Sequence, residues 1–183
     1  MKKYLVTSLL LLASSALAHQ PRVVSAEDVT MVKFPGHDTY LLADADSTPS
    51  EVAVLELELP PRTFGAPPHI HTNEDEHFYV ISGEVEFLSG EVVKTVAAGG
   101  LVVLPRGHIH GFWNQQDKPA KMLLVVTPGK FASFFDQVVA EIREANPGNP
   151  QLVGKIIAEQ AAKFGVKVMP EKVPAAALPL LPK

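Results

Sequence analysis

An all-β barrel or sandwich followed by two helices is the fold class that this 183-residue sequence predicts. Three observations carry that prediction. Between Glu51 and Thr127 the chain breaks into short β-rich runs separated by Gly, Pro, Asn and Asp. Beyond Thr127 the apolar residues change to the 3, 4, 7, 8 spacing of one helical face. There is no cysteine, so the fold must rest on its core, and disulfides, thiolate metal sites and a cysteine nucleophile are all excluded.

The chain opens with MKKYLVTSLLLLASSALA, which combines Lys2 and Lys3, an apolar run too short to span a bilayer, and small residues Ala16 and Ala18. That is the pattern of a secretory signal peptide cleaved after Ala18, and it predicts export to the periplasm or beyond the cell. Loss of the two lysines takes the formal charge from -4 to -6. With no basic run to track a phosphate backbone, nucleic acid is not an expected partner. No later segment approaches the roughly 20 continuous apolar residues of a spanning helix, so no membrane association is expected. The remaining chain is long enough for one domain that buries about 70% of its unfolded surface.

Four segments follow from this reading: a leader at 1–18, a barrel with an N-terminal extension at 19–127, helices packing on it at 128–169, and a proline-rich tail at 170–183. The expected strands are EVAVLELEL, EHFYVIS, EVEFL, EVVKTV, LVVLP, HGFWN and KMLLVVT. Glu84 and Glu86 alternate with Val85 and Phe87, and Ser89-Gly90 supplies a tight hairpin connection. Many short strands at this spacing indicate a sandwich or barrel. In KFASFFDQVVAEIREA, residues Phe131, Phe134, Phe135, Val138, Val139 and Ile142 make one helical face that should pack on the barrel. Asn149 and Pro150 then cap and open a second helix, with Leu152, Val153, Ile156, Ile157 and Phe164 as its inner side and Gly165 as its stop. The last stretch, VPAAALPLLPK, has too much proline for helix or central strand and reads as an extended tail.

The stretch HIHTNEDEHFYVISGE carries the chemistry. Residues two apart on a strand share a face, so His69 and His71 point the same way. Glu76 has the opposite parity, but the turn-prone TNED between them can bring its carboxylate round to the same interior. In PRGHIHGFWN a Pro-Gly corner precedes a strand on which His110, Phe112 and Asn114 share a face, so a third imidazole is available. Two histidines with one residue between them are by themselves more often surface or core residues than ligands. Three imidazoles and one carboxylate, however, form an all-N/O set suited to Fe(II), Mn(II), Ni(II) or Co(II), with Zn(II) also compatible. Five- or six-fold coordination by such a set leaves a position open for water, substrate or dioxygen.

At these residues a family resemblance becomes visible. GAPPHIHTNEDEHFYVISG resembles the first cupin motif, with Gly83 closing it on register. GGLVVLPRGHIHGFWN is similar to the second, in which Gly99, Pro105, Gly107, His110 and Asn114 fall at the family's positions. The resemblance implies the double-stranded β-helix, a jelly-roll barrel, and one divalent transition metal held by His69, His71, Glu76 and His110. It also implies a homodimer. From Lys33 to Pro170 the chain further resembles the single-domain bacterial cupins related to quercetin 2,3-dioxygenase. In that subgroup the metal binds a flavonol through its 3-hydroxyl, dioxygen is inserted and carbon monoxide leaves. The glutamate ligand there doubles as the base, which implies a catalytic Glu76.

The expected function is therefore an exported metal-dependent dioxygenase acting on a small molecule, a flavonol or related enol-bearing aromatic. A metal-dependent lyase, decarboxylase or isomerase, or a non-catalytic ligand- or metal-binding cupin, are the alternatives. Phe78 and Phe112, each two residues past a ligand, are expected to line the substrate pocket, whereas Phe64, Phe87 and Trp113 read as core. His108 reads as mouth-lining or solvated, His77 as exterior, and His37 as a neighbour of turn formers. His19 would carry a free α-amino group after cleavage, but nothing matches it with a second ligand. Glu74 and Asp75 read as solvated turn residues, either of which can reach a ligand histidine.

Overall fold

The computed structural model describes residues 21–182. The expected leader, His19 and Lys183 lie outside them. Two antiparallel sheets face each other. The first has the order β1 (Met31–Phe34), β2 (His37–Ala43), β3 (Ala53–Leu59), β10 (Ala120–Thr127), β5 (Asp75–Ser82), β8 (Leu101–Leu104). The second has the order β11 (Val166–Val168), β4 (Thr63–His71), β9 (His110–Asn114), β6 (Glu84–Ser89), β7 (Val92–Ala97). The chain passes from one sheet to the other at β3 to β4, β4 to β5, β5 to β6, β7 to β8, β8 to β9 and β9 to β10. This is the jelly-roll arrangement expected above.

Side-chain alternation decides which face of each strand is inside. Along β3 and β10 every second residue is buried, which sends Leu55, Leu57 and Leu59 and Met122, Leu124 and Val126 into the space between the sheets. Val85, Phe87 and Phe112 meet them from the second sheet. The strand β6 is buried on both faces, because the C-terminal tail covers the outside of its sheet: Ala177 packs with Leu88 and Trp113. The proline-rich tail is thus packed on the outer face, with short 3-10 turns at Pro170–Lys172 and Leu178–Leu180.

Four strands were not among the expected runs: β1, β2, β4, of which only the placing of His69 and His71 on a strand was anticipated, and the three-residue β11, which follows the helices and pairs with β4, His71 opposite Val166 and His69 opposite Val168. The helices form as anticipated, α1 at Ser133–Ala145 and α2 at Pro150–Lys163. The Asn149 side chain accepts a hydrogen bond from the Leu152 amide at 2.9 Å, which closes the N-terminus of α2. Phe134, Phe135 and Val138 of α1 are buried in the barrel core, each worth roughly 1.5–3 kcal/mol of apolar burial. One expectation for α2 fails: Leu152 is 45% exposed, and Gln160 and Ala161 are its buried residues instead. The helix touches the barrel by its C-terminal half, so its first turn stands clear of the core. Among the described residues no helix is long and apolar enough to cross a membrane.

Candidate metal centre

Two prolines shape the strand that carries the first two histidines. Pro67 and Pro68 have no N–H for the ladder, and the register of β4 against β9 shifts between Ala66 and His69. Past that irregularity His69 stands opposite His110 on β9. The turn after His71 reverses the chain into β5, whose second residue is Glu76. The corner before β9 is tied down from two sides. The Gly107 amide donates to the His71 carbonyl at 2.8 Å, and Arg106 donates to Asp75 through its amide, Nε and Nη2.

The structure brings His69, His71, Glu76 and His110 together, with one donor atom of each lying within 4.8 Å of the others. His71, Glu76 and His110 are 0%, 3% and 1% exposed, and His69 is half-buried. Each imidazole has its Nδ1 turned outward to an acceptor. His69 donates to the Pro67 carbonyl at 2.7 Å, His110 to the His108 carbonyl at 3.0 Å, and His71 to the Glu74 carboxylate at 2.9 Å. A carbonyl oxygen can only accept, so His69 and His110 carry a proton on Nδ1, and in their neutral form each turns the lone pair of Nε2 to the centre.

This donor arrangement fits a cation. Nε2 of His71 is fully buried with no hydrogen-bond partner among the described residues. Nε2 of His110 and Oε2 of Glu76 face each other at 3.0 Å, two lone-pair atoms that require a proton or a metal ion between them. Bonds of about 2.0–2.2 Å to nitrogen and oxygen put adjacent ligand atoms of one ion at roughly this separation. The titration behaviour agrees. Burial pushes His69 down to about 3, with His110 and His71 adding to the effect. Burial alone would raise the Glu76 carboxyl, but the His110 hydrogen bond and the three imidazoles outweigh it and hold it well below the usual carboxylate range. Burial also opposes charge on His71, yet the hydrogen bond to Glu74 and the charges of Glu76 and Glu74 raise it overall. Glu76 and Glu74 therefore place negative charge against His71.

Glu74 corrects an expectation: it is 6% exposed, and of the two roles open to it, it fills the one on a ligand histidine. Asp75 pairs with Arg106 instead. His108 is exposed and His77 half-buried, and neither belongs to the ligand group.

His69 and Glu76 open onto a cavity of about 90 Å³. At about 10–15 Å³ per water-sized position, this is the room taken by one aromatic ring and its substituents. Phe78 and Phe112 lie on its wall, as do Leu57 and Leu124 of the first sheet. The far wall was not legible in the sequence. It comes from Phe131 in the 3-10 turn Gly129–Ala132, from Phe134 and Phe135 in the first turn of α1, from Ile157 and Ala161 of α2, and from β11. His37 is the other unforeseen member: the structure sets it in this wall at 4% exposure, away from solvent. The alternation His37, Thr39, Leu41 is the signal that could have found it, had β2 been read as a strand.

Comparison with known proteins agrees with this architecture. Residues 55–126 match the family model described as "Cupin domain". A sugar phosphate isomerase of the cupin superfamily from Silicibacter pomeroyi superposes with a TM-score of 0.51 at 23% identity, over 58% of this chain and 75% of that one. The polyketide cyclase RemF from Streptomyces resistomycificus gives 0.50 at 25% identity, over 58% and 79%. A predicted oxalate decarboxylase from Thermotoga maritima gives 0.51 at 20% identity, over 57% and 97%. No curated protein sequence matches the chain. The chain has a cupin fold, and its buried His-His-Glu-His group can hold a metal ion as in cupins.

Proposed function

We propose that this protein is a metal-dependent dioxygenase whose substrate is an aromatic bearing an enolic or phenolic hydroxyl, flavonols included. One observation carries the reading: a three-imidazole, one-carboxylate group opens onto a cavity whose wall is otherwise almost wholly aromatic and aliphatic. Among the described residues no lysine or arginine lines it. A phosphorylated sugar or a dicarboxylate would be desolvated there without a cationic partner beyond the metal, which is unfavourable, whereas an aromatic ring is solvated well by Phe78, Phe112 and Phe131. A tricyclic flavonol exceeds the enclosed volume, so in this reading one ring enters and the rest extends through the mouth.

When bound at His69, His71, Glu76 and His110, a divalent transition ion such as Fe, Mn, Ni or Co supplies Lewis acidity at the substrate oxygen and the route by which dioxygen reacts. The chain's own part is positioning and proton transfer. The three outward Nδ1 hydrogen bonds fix the imidazole planes. Glu76, ionised and on the cavity wall, accepts the proton of the substrate hydroxyl. Phe78 and Phe112 hold the ring and keep water out.

Oxygen uptake by the metal-loaded protein over a panel of flavonols and single-ring enols tests this. Uptake with at least one is expected. No uptake with any, together with anaerobic conversion of one of them, would replace it with a second reading, a metal-assisted cyclase or isomerase. The likeness to the polyketide cyclase at 25% identity favours that rival. Export and a homodimer complete the proposal. N-terminal sequencing of cell-released protein should begin at His19, and an intact Met1 there would overturn export. The apolar surface for pairing would be the outer side of β5 and edge strand β8, where Tyr79, Ile81, Leu101 and Val103 are all exposed.

A further inference from the structure

Among the described residues, the cavity has one polar side chain that the metal centre does not use. His37 begins β2, and its ring is enclosed by aromatic neighbours: stacked on Phe34 at 5.0 Å, tilted against Phe112 at 6.0 Å, and edge-on to Phe135 at 5.9 Å. The backbone is built to put it there. Gly36 has φ +99, and a Cβ on it would sit 2.6 Å from the Phe64 carbonyl, so only glycine makes this tight entry into β2. Nδ1 of His37 meets Oγ1 of Thr39 at 2.9 Å, and Thr39 is itself 1% exposed. Nε2 takes no hydrogen bond from the described residues, although the ring lines the cavity. An imidazole held by one nitrogen, with the other nitrogen reaching the cavity, is placed to pair with a polar group of whatever enters there.

We propose that His37 is the residue that sets substrate specificity, its Nε2 hydrogen-bonding a hydroxyl carried on the substrate away from the oxygen that faces Glu76. The inference rests on the aromatic-substrate reading above and adds a second polar group to that substrate. A hydroxyl is the group that fits, because it pairs with either tautomer. If Thr39 donates to Nδ1, Nε2–H donates to the hydroxyl oxygen; if Nδ1–H donates to Thr39, Nε2 accepts the hydroxyl proton. Burial keeps the ring neutral at physiological pH, with its titration pushed down to about 4. The position suits a ligand that spans both sites. Phe112 lies two residues along β9 from His110, about 7 Å, and its ring is 6.0 Å from His37.

The test is binding, measured by calorimetry on zinc-loaded protein so that no oxidation intervenes. The probes are 3-hydroxyflavone and a set of analogues, each with one further ring hydroxyl. In the wild type at least one analogue should bind about tenfold tighter than the parent, the effect of one well-placed hydrogen bond. His37→Phe, which suits its aromatic surroundings, should abolish that preference, so that in the variant the analogue and the parent bind alike. His37→Gln should restore part of it. A preference that survives His37→Phe, or no preference in the wild type, overturns the proposal. If none of these rings binds the wild type, the aromatic-substrate reading falls with it. If the preference holds but no oxygen is consumed, only the dioxygenase reaction is lost.

Discussion

Glu74 holds His71 by its outer nitrogen: the carboxylate Oε2 and Nδ1 are 2.9 Å apart, both groups buried, three residues apart in the turn between β4 and β5. The contact fixes the imidazole plane and its tautomer and adds negative charge behind the ligand. Of the three imidazoles, His71 alone is backed by a carboxylate, since His69 and His110 lean on backbone carbonyls. A side chain can be removed where a carbonyl cannot, which makes this support open to mutation.

Glu74→Ala should weaken divalent metal binding by about 10- to 100-fold without removing a ligand. Chelator competition on the variant reads the change directly. Affinity within about twofold of wild type would mean that burial alone orients His71.

His71→Ala removes a ligand outright and should leave the protein with far less than one metal per chain. Elemental analysis after dialysis decides it, and equal metal content in variant and wild type would sink the site.

Glu76→Gln separates ligand from base. Glutamine can still coordinate through its carbonyl oxygen but cannot accept a proton, so metal should be retained while turnover falls by about 10²- to 10⁴-fold. The comparison to make is kcat against substrate affinity at matched metal loading. Near-normal turnover with metal bound removes Glu76 from the role of base.

Acid should destabilise the metal-free protein, and His37 should carry part of the effect. Its pKa is 6.5 unfolded and about 4 in the fold, so between those values the unfolded chain binds more protons and stability falls as pH is lowered. The loss begins near pH 6.5 and reaches roughly 3 kcal/mol by pH 4. His69, pushed down to about 3 by burial, adds a loss of the same sign. Urea midpoints of metal-free wild type and His37→Phe across this range isolate the His37 share, because the variant lacks that proton. Parallel pH profiles for the two would show that His37 does not titrate in this way.

The barrel, the two helices and the residues of the candidate metal centre could be read before any coordinates, the first two from local information and the four residues as a set from the resemblance to the cupin motifs. Strand alternation put His69 and His71 on one face, turn residues allowed Glu76 to come round, and the Pro-Gly corner placed His110 on the next inward strand. Helical spacing likewise picked out Phe131, Phe134 and Phe135 as a packing face. What that face would pack against, and that it would wall the cavity beside the ligands, depended on contacts far apart in sequence. The same holds for β11, which pairs residues 166 to 168 with the ligand strand, and for the tail, which covers Trp113 through Ala177. His37 is the sharpest case. The alternation of His37, Thr39 and Leu41 tells only which face of a strand it shares, and the closing of β2 onto β3 and of α1 onto the barrel surrounds it with Phe34, Phe112 and Phe135. Periodicity reports which way a side chain faces, whereas its neighbours across sheets and helices are chosen when the layers close, and that choice is made by tertiary packing.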